Sequence, residues 1–113
     1  MKKILIAALI IGMAGVFASA QTVACIVFQQ DSYMRTLNLG AQEAAKKAGL
    51  KFLSSNSDNK LEKEAQLIDT YITQGVKAIV LVPISRTGSI AAIKRATDKG
   101  IKVVCAGTVV DSD

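Results

Sequence analysis

The 113-residue chain has no histidine and only two cysteines, Cys25 and Cys105. That inventory removes several chemistries at once. Zinc requires a cluster of nitrogen and sulfur ligands, which two distant cysteines without a histidine cannot supply. Neither a Ser–His nor a Cys–His nucleophile system can be assembled. A phosphate-cradling cofactor loop after the first apolar segment would need glycine, and Gln29-Gln30-Asp31-Ser32 has none. No metal or cofactor is therefore expected. The polar and aromatic residues that could still meet a ligand fall in short segments: Asp31, Ser32 and Tyr33 early, Ser85, Arg86 and Ser89 midway, and Thr108 with Asp111-Ser112-Asp113 late.

Positioning these segments is the work of an alternating pattern. Val23 to Phe28 is short, apolar and partly β-branched, as expected of a strand buried on both faces. A helical stripe follows, with Leu37, Ala41, Ala44, Ala45 and Ala48 on one side. The next strand is expected over Leu50–Leu53, and the next helix carries Leu61, Ala65, Ile68 and Ile72 on its stripe. Strand 78–82, a helix with Ile90, Ile93 and Ala96, and strand 102–106 complete the series. Gly49, Gly75 and Gly100, spaced by 26 and 25 residues, each join a helix end to a strand start.

Such alternation implies right-handed crossovers and a parallel sheet with helices on both faces, a three-layer doubly wound α/β fold. Ligands of these sheets bind beyond the C-terminal ends of the strands. The loops at 29–34, 54–60, 83–89 and 107–113 are therefore the expected functional edge. In the usual order 2-1-3-4, the third strand separates Cys25 from Cys105 by about 9–10 Å. A disulfide needs less than about 7 Å between Cα atoms. Both cysteines are expected to be reduced and buried.

The start of the chain has a separate logic. Met1-Lys2-Lys3, the apolar run Ile4–Ala18 and the small-x-small triplet Ala18-Ser19-Ala20 are the three parts of a secretory signal peptide, with cleavage expected after Ala20. A run of about 15 residues is short of the roughly 20 that span a bilayer, so no stable membrane insertion is expected after cleavage. Thr22-Val23-Ala24 before Cys25 lacks the leucine of a lipid-attachment site. Without Lys2 and Lys3, twelve basic residues face nine acidic ones, for a net charge of +3. These charges are interspersed with no basic run, a solvated surface and not a nucleic-acid footprint.

Several segments together resemble the type I periplasmic sugar-binding proteins of ABC transporters, the ribose- and allose-binding type. They are Phe28 to Met34, Leu39 to Gly49, Gln66 to Asp69, and above all Ile72-Thr73-Gln74-Gly75 running through Ala78–Val82 into Pro83. The order and spacing hold over residues 23–113, and the resemblance covers part of an N-terminal lobe. Residues 1–20 then form the signal peptide and 21–113 the partial lobe. The resemblance implies a periplasmic receptor, not an enzyme, that closes two lobes on a monosaccharide and presents it to an inner-membrane ABC permease. No second lobe is encoded in these residues, and the chain is expected to be a truncated form.

By the same resemblance, Asp31 hydrogen-bonds sugar hydroxyls and Tyr33 packs on the sugar ring. Met34 stands where a second aromatic is usual, and Gly107 and Thr108 stand where an acid and a further polar residue follow the fourth strand. Plainer roles compete with these. Asp31 or Ser32 suits a helix N-cap, Tyr33 a hydrophobic staple and Ser89 a third-helix cap. Lys60-Leu61-Glu62-Lys63-Glu64 reads as a solvated helix start, Tyr71 as packing, and Pro83 as a strand terminator. Two other functions are compatible with the fold: a sensory receptor domain, or a sugar-responsive repressor core. The repressor needs a DNA-binding segment where the signal peptide stands.

Overall fold

The computed structural model describes residues 21–111. Four strands and three helices alternate along them: β1 (Thr22–Val27), α1 (Ser32–Lys47), β2 (Lys51–Asn56), α2 (Leu61–Gln74), β3 (Ala78–Leu81), α3 (Ile90–Asp98) and β4 (Lys102–Cys105). The sheet is parallel throughout, in the order β2-β1-β3-β4. The expected signal peptide at 1–20 and the residues Ser112 and Asp113 lie outside the described part.

β1 is central because its residues are apolar on both sides. Ala24 and Ile26 face one cluster with Ile68 and Tyr71 of α2, Ile79 and Leu81 of β3, and Ala92 and Ala96 of α3. Cys25 and Val27 face the other, with Met34, Leu37 and Ala41 of α1. This two-sided burial is why β1 reads as a continuous apolar run. Among the described residues, only α1 covers the second face. Val104, on β4, is consequently 57% exposed.

The glycines at 49, 75 and 100 all take positive φ, as expected. At Gly75 the reason is visible: with φ 71°, its N–H turns back to the carbonyls of Ile72 and Tyr71 and closes α2.

Beyond one-residue shifts at the ends of β1, β3 and β4, three details of this fold differ from the sequence expectation. β2 runs on to Asn56, because Ser54, Ser55 and Asn56 keep pairing with Cys25, Ile26 and Val27. Glu64 is not solvated. It is fully buried, on the same helical face as Ile68. Cys105 is half-buried where full burial was expected, because β4 is an edge strand. Both cysteines are free, on strands separated by β3.

Candidate functional site

The C-terminal edge of the sheet is built from the β1–α1 segment, the loop after β3 and the loop after β4. Asp31 opens α1. Its backbone is extended, and its Oδ1 accepts the Met34 N–H at 2.8 Å, the bond of an N-cap. The side-chain amide of Gln29 donates to the other oxygen, Oδ2. Both carboxylate oxygens thus already have a partner.

Capping fixes the first turn of α1 and sends its next two side chains in different directions. Tyr33 is 57% exposed and extends over Gly107. Met34 is buried against Cys25, Val27 and Val82. Gly107 has φ 77°, a conformation that side chains rarely adopt. A Cβ there would lie 3.3 Å from the Tyr33 hydroxyl oxygen and 3.6 Å from Val82 Cγ1. The glycine and the tyrosine therefore share one small space.

Around them is a shallow depression of about 150 Å³ lined by Phe28, Tyr33, Met34, Val82, Gly107 and Thr108. Four of the five residues singled out from sequence thus meet at one place. Asp31 is not in its lining; it stays at the helix cap. Larger grooves of about 520 Å³ and 330 Å³ lie along the charged start of α2 and between α2 and α3. Neither these nor a groove of about 230 Å³ beside Val27, Gln30 and Met34 takes in a residue of the loops after β3 and β4, so their size does not make them better sites.

Two further contacts hold the neighbouring loops, and sequence reasoning missed both. The buried Glu64 reaches the loop after β3, where its Oε2 accepts the Ile84 N–H at 2.9 Å. Its other oxygen, Oε1, is buried without a protein partner. One signal existed: position 64 falls on the stripe of Leu61 and Ile68. The second contact is a clamp between the loops. Arg86 donates to Asp111 Oδ1 from Nε at 2.8 Å and from Nη2 at 2.5 Å, and the Asp111 N–H returns to the Arg86 carbonyl at 2.8 Å.

Ser89 stands at the N-cap of α3 but does not cap it. Its hydroxyl instead accepts the Ser85 N–H at 3.3 Å, tightening the same loop. Among the described residues no group of three or more His, Cys, Asp or Glu could hold a metal ion. The geometry offers a small, mostly apolar surface with two neutral hydroxyls, Tyr33 and Thr108, suited to reversible contact with a small molecule.

A family model described as a periplasmic binding protein domain matches residues 23–113. The chain is 29% identical over 116 residues to the ABC transporter periplasmic-binding protein YphF of Escherichia coli, an alignment covering 97% of this chain and 35% of that protein. It therefore spans about a third of the length of this curated relative. Among solved structures, an ABC transporter periplasmic solute binding protein from Actinobacillus succinogenes with bound D-allose superimposes with a TM-score of 0.73 at 21% identity, over 83% of this chain and 34% of that one. A periplasmic ribose ABC transporter protein from Conexibacter woesei gives 0.76 at 23% identity, over 85% and 32%. At these identities the superpositions establish the fold.

Proposed function

The chain belongs to the periplasmic binding protein domain family, and from that premise we propose that it is a sugar-capturing part of an ABC-type carbohydrate import system. It acts by binding, without catalysis. The observation that carries the reading is the meeting of Tyr33, Met34, Gly107 and Thr108 around one depression at the C-terminal edge of the sheet. That edge is where doubly wound sheets take their ligands. An aromatic ring beside apolar side chains suits the C–H face of a sugar, and neutral hydroxyls suit its rim.

A depression of about 150 Å³ is smaller than the roughly 300 Å³ at which enclosed ligand sites begin. It supplies one wall, and the opposite wall comes from a second lobe. Closing of two lobes on a monosaccharide makes a surface that an inner-membrane permease can distinguish from the open form. Family membership supports a periplasmic location, and export rests on cleavage of the expected signal peptide after Ala20.

Saturation-transfer NMR of residues 21–113 with a panel of pentoses and hexoses tests this. Transfer to at least one monosaccharide, lost in Tyr33→Ala while the amide spectrum stays dispersed, is the expected result. No transfer to any sugar, or transfer indifferent to Tyr33, overturns the reading.

A further inference from the structure

The supply of charge around the depression is unusual for a surface that must hold a polyhydroxylated ligand. Among the described residues no carboxylate lines the depression, although three positions near it could have supplied one. Asp31 spends Oδ1 on the Met34 N–H and Oδ2 on Gln29. Asp111 takes both Arg86 donors on Oδ1, gives its backbone N–H to the Arg86 carbonyl, and is not in the lining. Gly107 has no side chain, and its positive φ and the Tyr33 hydroxyl at 3.3 Å from a Cβ leave no room for one. What faces the opening is apolar: Phe28, Met34 and Val82, with the hydroxyls of Tyr33 and Thr108 at its edge.

A hydroxymethyl group pressed onto such a floor would lose its water without finding an acceptor, a cost on the order of 1–3 kcal/mol. A methyl group at the same place loses nothing and gains contact with three apolar side chains. Resting on the sugar-binding reading above, we propose that this half-site is built for deoxy sugars, the deoxyhexoses, with the deoxy carbon on the Phe28–Met34–Val82 floor and one ring hydroxyl on Tyr33. Tyr33 and Gly107 are then a specificity-determining pair. The phenol fills the space that a carboxylate would need, and it offers both a donor and an acceptor where a carboxylate only accepts.

The test uses sugar pairs that differ only at C6: L-fucose against L-galactose, and L-rhamnose against L-mannose. Each is titrated into residues 21–113 and followed by ligand-observed NMR. At least one deoxy sugar is expected to bind about threefold or more tighter than its hydroxylated partner, since one small group against an apolar surface is worth about that much or more. The largest saturation is expected at its methyl protons. Thr108→Asp, at an exposed position, puts a carboxylate back at the rim and is expected to bring the ratio towards one. Equal or tighter binding of the hydroxylated sugars, or a ratio unmoved by Thr108→Asp, overturns the deoxy-sugar inference and leaves sugar binding standing. Failure of every sugar to bind overturns both.

Discussion

Glu64 on α2, fully buried, accepts a hydrogen bond from the Ile84 N–H at 2.9 Å and so ties the loop after β3 to the first turn of the helix. The loop it ties carries Arg86, whose side chain holds Asp111 in the loop beyond Gly107 and Thr108. Two side chains in series therefore set the positions of two of the loops at the candidate site.

Removing the first of these links should be costly. Glu64→Leu fills the space but leaves the half-buried Ile84 N–H unpaired, which costs about 1–3 kcal/mol. Glu64→Gln keeps an acceptor oxygen and should lose less. Urea unfolding monitored by circular dichroism measures both. Equal stability of Glu64→Leu and the parent would show that the bond contributes nothing net.

The Tyr33–Gly107 contact predicts a coupled pair. Gly107→Ala forces a Cβ into a positive-φ position against the tyrosine hydroxyl and Val82, at a cost of about 1–3 kcal/mol. Part of that is backbone strain and part is the clash with Tyr33. Tyr33→Ala should remove only the second part, so the double variant should be more stable than the sum of the single changes implies. Strict additivity in unfolding free energies would place the whole cost in the backbone.

How much of this was legible in the sequence depends on how local the determinant is. The switch between apolar runs and helical stripes located every element, since β1 is buried on both sides and each helix on one. The Asp31 cap was legible for the same reason, as its partner Met34 lies three residues away. The apolar pattern ends β2 at Leu53 because Ser54, Ser55 and Asn56 carry no apolar signal and are strand by pairing with β1. Glu64 reads as solvated from the sequence because the charges of Lys60 to Glu64 outweigh its place on the buried stripe. The Arg86–Asp111 clamp and the meeting of Tyr33 with Gly107 join residues far apart in the chain, and no spacing rule encodes either. Half-burial of Cys105 follows from its place on an edge strand, which composition does not state.

The Asp31 cap gives a third prediction. Asp31→Ala removes the acceptor for the Met34 N–H and should cost about 1 kcal/mol, while Asp31→Asn keeps most of the cap. If capping is its main role, Asp31→Asn should also leave sugar contact at the Tyr33 depression largely intact. Loss of sugar contact in Asp31→Asn, with stability preserved, would move Asp31 into the ligand shell.

Cys25 gives the fourth, through pH. Burial pushes its thiol from 9.0 up to about 11, because the thiolate would lose its hydration in the core. The sign follows from proton counts. Between pH 9 and 11 the unfolded chain has lost this proton and the folded chain still holds it, so the folded state binds more protons. Stability is therefore full below pH 9 and falls as pH rises towards 11, by at most about 1.4 kcal/mol per pH unit from this group. Lysines and tyrosines titrate in the same range, so the readout must be a difference. Cys25→Ala lacks the titration, and urea midpoints of the two proteins should converge as pH rises from 9 to 11. A constant gap across that window would mean that the folded-state thiol ionises as freely as in the unfolded chain. The half-buried Cys105, also raised by burial, is common to both proteins and drops out of the comparison.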